Sequence, residues 1–172
     1  MKDLISFPNL VTERLQLRQL LPTDAPEIFI LRSDELVNKY LGRTKATSIE
    51  DANQFITKIL SSAPEQSIYW GISLKEEQRL VGTICLWNIS KDRRSAEIGY
   101  ELLPDYHGKR LIQEAIEIVI QHAFQYMHLQ LLEAVLDPAN IKSVKLLEKN
   151  KFIINTDPER QEKNLVVYIL KN

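Results

Sequence analysis

Only one cysteine, Cys85, occurs in the 172 residues. That count excludes an intramolecular disulfide and any cysteine-rich zinc site. Cys85 lies in the apolar run Leu80–Ile89 and reads as a buried structural thiol. An excess of one charge is also missing. The formal net charge is −1, so no global basic field points to nucleic acid. No apolar run approaches the roughly 18 residues of a membrane span. The opening MKDLISFPNLVTERL lacks the apolar core of a signal peptide. The expectation is a cytoplasmic protein with neither nucleic acid nor membrane as a partner. His107, His122 and His128 lack metal-ligand spacing and a carboxylate pair to complete a site, so no metal is expected. Neither repeats nor linkers break the chain. An apolar fraction of 44% and this length fit one domain over residues 1–172 with a sizeable core.

The stretch that organises the chain is AEIGYELLPDYHGKRLIQEA, from Ala96 to Ala115. Ala96, Ile98, Tyr100 and Leu102 alternate with Glu97, Gly99 and Glu101, which is the period of a strand. From Ile112 the spacing changes: Ile112, Ala115/Ile116, Val119 and Ala123 recur at helical steps. The switch falls on Asp105–Arg110. A helix N-terminus leaves about four backbone N–H groups unpaired and carries partial positive charge. Such an end can hold phosphate, and Lys109 and Arg110 add full charges there.

Around this stretch the elements follow a clear order. Leu10–Leu20 predicts a first strand, and Pro22-Thr23-Asp24 a turn and helix start capped by Thr23 or Asp24. Ile28, Leu31 and Leu36 supply the apolar face of two short helices ending near Gly42. Ser48 and Asp51 form a capping box, followed by a buried stripe of Ile49, Ala52, Phe55/Ile56 and Ile59/Leu60. Ser67–Leu74, Leu80–Ile89 and the strand from Ala96 read as an antiparallel meander. The next helix crosses to a parallel strand at Leu131–Asp137. Asn140–Asn150 is a helix with Ile141, Val144, Leu146 and Leu147 as its apolar face, and Phe152–Ile154 and Leu165–Leu170 close the chain as strands. Trp70 and Trp87 read as core residues or as the lining of an acceptor pocket, with core the simpler reading, and Tyr100 reads as core rather than catalytic. The fold class is α+β, with a mixed, mostly antiparallel central sheet flanked by helices.

Two segments resemble the GCN5-related N-acetyltransferases (GNAT family), and the branch that modifies ribosomal-protein N-termini in particular. Ala96-Glu-Ile-Gly-Tyr-Glu-Leu102 and the loop after it resemble motif A, Gln/Arg-x-x-Gly-x-Gly/Ala. His107 stands at its Gln/Arg position, Arg110 at its first Gly and Ile112 at its Gly/Ala. Asn140-Ile-Lys-Ser143 through Phe152 resembles motif B, Asn-x-x-Ser-x-x-Leu-x-Glu-Lys-x-Gly-Phe, with Lys151 in place of Gly. Leu147 stands near a position where many members carry a proton-donating tyrosine. Thr12–Arg18 and the order of elements extend the likeness across nearly the whole chain. The resemblance implies a GNAT-like fold and acetyl-CoA as co-substrate. It implies a CoA site formed by Leu102, Leu103, His107, Gly108, Lys109, Arg110, Leu111, Ile112, Asn140 and Ser143. The acceptor would be a small primary amine or a protein N-terminus, and the molecule a monomer or homodimer.

Acyl transfer to an amine sets its own demands. An ammonium must lose a proton to become nucleophilic, and Glu97 and Glu101 are the candidate bases. The carbonyl oxygen gains charge in the tetrahedral intermediate and needs a donor, for which the family uses a backbone N–H near Leu102–Leu103. Ser143, near the thiol by resemblance, is the third candidate catalytic residue. Simpler readings stand beside these. Either glutamate is a solvated strand residue, Asn140 is a helix cap, and Arg110 either blocks the phosphate cradle or pairs with phosphate. The departures from the motifs favour a rival function, a non-catalytic CoA- or ligand-binding module on the same fold. A different acyl-CoA donor is a third reading.

Overall fold

The three strands of the meander carry the architecture. Their residues alternate in burial or are buried throughout: β3 (Ile68–Leu74), β4 (Leu80–Trp87) and β5 (Ser95–Leu102). A computed structural model describes residues 7–63, 65–157 and 164–172. In it β1 (Leu10–Val11) and β2 (Leu15–Gln19) extend the meander on one side. On the other side lie β6 (Leu131–Leu136), β8 (Val166–Lys171) and β7 (Ile153–Ile154). The resulting sheet has eight strands in the order β1-β2-β3-β4-β5-β6-β8-β7. Every neighbouring pair is antiparallel except β5 and β6, which are parallel.

The parallel pair needs a crossover, and helix α4 (Leu111–Gln121) with the π turn His122–Tyr126 supplies it. Leu111, Ala115, Ile116 and Val119 are buried, as their spacing demands. They pack with Leu15, Leu17, Trp70, Ile72, Ile84 and Ile98 into the main core on one sheet face. Trp70 is fully buried, and its indole N–H donates to the Pro8 carbonyl at 2.6 Å. Helix α5 (Ile141–Lys149) adds Leu147 to the same core. On the opposite face α1 (Ala25–Ser33) and α3 (Ile49–Ser61) bury Ile28, Leu31, Ala52 and Ile56 with Leu20, Leu80 and Leu103. Full burial of one such aliphatic side chain stabilises the fold by about 1.5–3 kcal/mol.

The helix ends hold one confirmation and one correction. Ser48 and Asp51 do form a capping box on α3. Asp24 does not cap α1 with its side chain. Its carboxylate turns back, accepts from the Leu21 N–H and pairs with Arg18 at 2.8 Å. Burial departs from the predicted stripes at Leu36, Ile49, Leu60 and Ile141, all exposed at an edge or end of a helix. The first strand is interrupted between Val11 and Leu15. Short α2 (Glu35–Asn38) then leads into the loop that carries Arg43. Among the described residues, no helix is long and apolar enough to cross a membrane.

Candidate active site

The sheet opens at its parallel pair. β5 and β6 pair only at Ser95–Leu131, Ala96–Leu132 and Glu97–Glu133. β6 stays paired with β8 along its length, so the two parallel strands diverge and leave a gap at their C-terminal ends. The backbone facing this gap follows from the alternation of an antiparallel ladder. The Leu103 N–H donates to the Val81 carbonyl at 2.8 Å. The amides of Tyr100 and Leu102 therefore point away from β4 and into the gap. Of the two amides expected to serve an oxyanion, Leu103 is committed to β4 and Leu102 is not. The Leu102 carbonyl accepts from His107 Nε2 at 2.8 Å, which places the proton on that nitrogen.

Two hydroxyls bridge the gap. Tyr100 Oη on β5 and Ser143 Oγ on α5 lie 2.6 Å apart. Burial pushes the Tyr100 phenol up to about 12, so it is a neutral hydrogen-bonding group at physiological pH. Asn140 caps α5, its side-chain oxygen accepting from the Ser143 N–H at 3.3 Å. Helices α4 and α5 are tied by a reciprocal amide pair, Gln113 with Asn150, at 3.0 and 3.2 Å.

The loop from β5 to α4 ends on an open helix start. Pro104–Tyr106 make a single 3-10 turn. Gly108 has φ 75° and Arg110 has φ 60°. Arg110 thus takes the left-handed backbone that glycine prefers, at the place where the family motif has glycine. Lys151, at the glycine position of motif B, does the same with φ 69°. At these two positions the backbone conformation that suits glycine is present without glycine. Among the described residues no side chain caps α4, and the first-turn amides of Leu111, Ile112 and Gln113 have no partner within the helix. Gly108, Lys109 and Arg110 are exposed beside them. Arg14 braces this loop from β2's leading turn. Its Nη1 donates to the Lys109 carbonyl at 3.1 Å, and its Nε and backbone N–H donate to Glu114. Burial raises the Glu114 carboxyl, but bonds from Thr12 and Arg14 outweigh this and hold it below the usual carboxylate range.

On the other sheet face, β5 presents Glu97, Gly99 and Glu101 beside Cys85 and Thr83 of β4. Glu101 Oε2 pairs with Arg43 Nη2 at 2.6 Å, and the Thr83 hydroxyl donates to its other oxygen at 3.3 Å. Arg43 is fixed in turn by Asn38 Oδ1 and the Leu31 carbonyl. Trp87, for which core packing is the simpler expectation and a pocket wall the alternative, is 46% exposed and edges this face. Burial pushes the Cys85 thiol up to about 12, so it is protonated and unreactive at neutral pH. A recess of about 680 Å³ lies at the opposite end of β5, lined by Ile59, Tyr69, Arg93, His122 and Leu129 among others. It is remote from the gap and holds none of the expected site residues.

The structure therefore brings Leu102, Ser143 and Asn140 to the gap and Gly108–Ile112 to its mouth. Leu103 is buried beneath it, and His107 is held against the strand. Glu97 and Glu101 share a face of β5, where Glu101 is bound to Arg43. Sequence reasoning missed Tyr100, Arg14 and Arg43. Only Tyr100 had a local signal: an aromatic with a hydroxyl on a strand facing the motif-B serine.

Comparison with known proteins agrees with this geometry. A family model described as "Acetyltransferase (GNAT) domain" matches residues 14–153. The chain belongs to the GNAT acetyltransferase family and is an N-acetyltransferase of that type. It is 35% identical over 147 residues, 85% of this chain and 83% of the relative, to "Uncharacterized N-acetyltransferase YoaA" of Bacillus subtilis (strain 168). Its fold is similar to that of the ribosomal-protein-S5-alanine acetyltransferase from Vibrio fischeri. The TM-score is 0.80 at 20% identity, covering 96% of this chain and 97% of that one. It is also similar to RimL, a ribosomal L7/L12 alpha-N-protein acetyltransferase solved with coenzyme A, at TM-score 0.82, 16% identity and coverage of 96% and 97%.

Proposed function

We propose that this chain transfers an acetyl group from acetyl-CoA to a primary amine, either a protein N-terminus or a small amine. The observation that carries the reading is the gap between β5 and β6, bridged by Tyr100 and Ser143 and continuous with the open start of α4. RimL was solved with coenzyme A, and the residues here suit the same ligand. The first amides of α4, with Lys109 and Arg110, suit a pyrophosphate. Asn140 and Ser143 flank the channel for the pantetheine arm. The Leu102 amide is aimed where an oxyanion would form. No metal enters this reading, and a cytoplasmic location accompanies it.

Each residue then has a stated task. Glu101 is engaged by Arg43 and Thr83 and shapes the acceptor wall. Glu101 or Glu97, the two carboxylates on this face of β5, takes the ammonium proton through water. Ser143, oriented by Tyr100 and by its own helix cap, donates a hydrogen bond to the sulfur as it leaves. Leu147 is fully buried and cannot do this, so the Tyr100–Ser143 pair takes the place of the tyrosine that many relatives have. Cys85, buried and protonated, forms no acyl-enzyme, and transfer is direct.

Calorimetry with CoA and acetyl-CoA tests the reading. Binding at micromolar concentration, with CoA release on adding an amine, is the expected result. No heat and no thermal shift at millimolar ligand would overturn it. Binding of CoA without turnover of any amine would instead favour the non-catalytic module.

A further inference from the structure

Two guanidinium groups, those of Arg43 and Arg32, lie close enough to Glu101 to feel its charge on the acceptor face. Arg43 is committed to Glu101, with Asn38 and the Leu31 carbonyl completing its bonds. Arg32, in the last turn of α1, is half-buried and makes no ion pair among the described residues. Its guanidinium lies 4.1 Å over the Phe55 ring. Phe55 packs edge-on against Tyr69 with ring centres 5.5 Å apart. The Tyr69 hydroxyl meets Thr83 at 3.3 Å, and Thr83 meets Glu101 at 3.3 Å. Arg32, Phe55, Tyr69, Thr83, Glu101 and Arg43 thus form one continuous wall beside the strand that carries the reacting centre.

The carboxylates that could neutralise Arg32 are spoken for or distant. Asp34 caps α2 through the Val37 N–H, and Glu35 is paired with Lys45. Glu97 is four residues back along β5, roughly 13 Å at strand rise. A half-buried guanidinium resting on an aromatic ring, with a second guanidinium nearby, is an anion site with its planar donors already placed. Burial first, and repulsion from Arg43 second, lower the basicity of Arg32, while Glu101 only partly offsets them. An arriving anion relieves both.

We propose that the acceptor is a primary amine that also carries a carboxylate, and that Arg32 receives this carboxylate while the amine reaches the gap at β5. This rests on the acetyltransferase reading above and narrows its substrate class. The carboxylate has two possible sources, a free amino acid or an acidic side chain near a peptide N-terminus.

The test uses the whole protein with acetyl-CoA and matched acceptors. Amino acids are compared with their carboxamides, and peptides beginning Ser-Asp or Ser-Glu with those beginning Ser-Asn or Ser-Gln. The first set detects the amino-acid source and the second the peptide source. The expected result is a preference for the anionic member in at least one set, about ten- to hundredfold in kcat/KM and expressed in KM. Arg32→Gln should abolish that preference, lowering kcat/KM for the anionic member far more than for the neutral one, with CoA affinity unchanged. Arg32→Lys, which keeps the charge, should retain part of it. Equal rates for anionic and neutral members would overturn the proposal and leave the acetyltransferase reading intact. So would an Arg32→Gln variant that slows both members alike. Absence of turnover with every amine would overturn both.

Discussion

The two faces of β5 are built from different materials. Toward α4 and α5, the face we propose for the donor is mostly backbone: the Tyr100 and Leu102 amides, the start of α4, and the left-handed residues Gly108, Arg110 and Lys151. Among the described residues, Tyr100 with Ser143 is its side-chain hydrogen bond across the gap. The face we propose for the acceptor is built from side chains: Glu101, Arg43, Thr83, Tyr69, Phe55 and Arg32. A backbone site survives changes of residue so long as φ and ψ survive. Arg110 and Lys151 show this, since both hold glycine's conformation without being glycine. A side-chain site changes with each substitution, and so it is where one member of a family can differ from another.

Removing that side-chain hydrogen bond of the donor face should have the largest effect on rate. Ser143→Ala should lower kcat by about a hundredfold or more, with CoA affinity kept within a few-fold. Tyr100→Phe should have a smaller effect in the same direction, because Ser143 keeps its backbone cap but loses its 2.6 Å partner. Steady-state kinetics alongside CoA calorimetry separates these outcomes. A Ser143→Ala enzyme with full kcat would show the hydroxyl pair to be packing only.

Gly82 couples the two faces, and the next prediction breaks both at once. A Cβ there would lie 2.4 Å from the Glu101 carbonyl oxygen and 2.7 Å from Leu102 Cδ1. Gly82→Ala must push β5 away from β4, at about 1–3 kcal/mol of stability. Thermal unfolding should fall, and both KM for the amine and affinity for CoA should worsen. Loss on one side only would mean that the faces are mechanically separate.

The same contrast explains what the sequence could disclose. The donor face is local in the chain: Ala96–Ala115 and Asn140–Phe152 each read as a unit, and their periods and motif positions were visible. The meander, the parallel crossover and the capping box at Ser48 follow from the same short-range signals. Arg43 and Glu101 are 58 residues apart in sequence, and Arg14 and Glu114 are 100 apart. No period or spacing links such pairs, so the acceptor wall and the brace on the loop emerged only from the folded chain. Leu36 and Trp87 failed for a related reason. Periodicity says which residues share a side, but not whether another element covers it.

Asn140→Ala should cost about 0.5–2 kcal/mol of stability as a lost helix cap. If Asn140 also contacts the pantetheine arm, CoA affinity should fall further than the folding defect explains. Chemical unfolding with and without CoA measures the two separately. Equal losses in both states would confine Asn140 to its capping role.

The smallest effect is the sharpest test of backbone against side chain on the donor face. Arg110 and Lys151 carry the same strain, with φ 60° and 69°, and both are exposed. Replacing either by glycine relieves a left-handed penalty of about 1–2 kcal/mol, partly offset by the greater freedom of glycine in the unfolded chain. Each variant should therefore gain up to about 1 kcal/mol, and by similar amounts. Only Arg110 stands at the open start of α4. If its guanidinium pairs with phosphate, Arg110→Gly loses CoA affinity by about tenfold, while Lys151→Gly does not. That loss should shrink at high salt, because an exposed charge pair is screened. If the Arg110 side chain instead crowds the cradle, the glycine variant binds CoA more tightly at both salt concentrations. Lys151→Gly makes the comparison interpretable, since it carries the change in strain without the change in charge at the site. A tighter-binding Arg110→Gly variant would show that the backbone alone holds the phosphate and that arginine here is a hindrance.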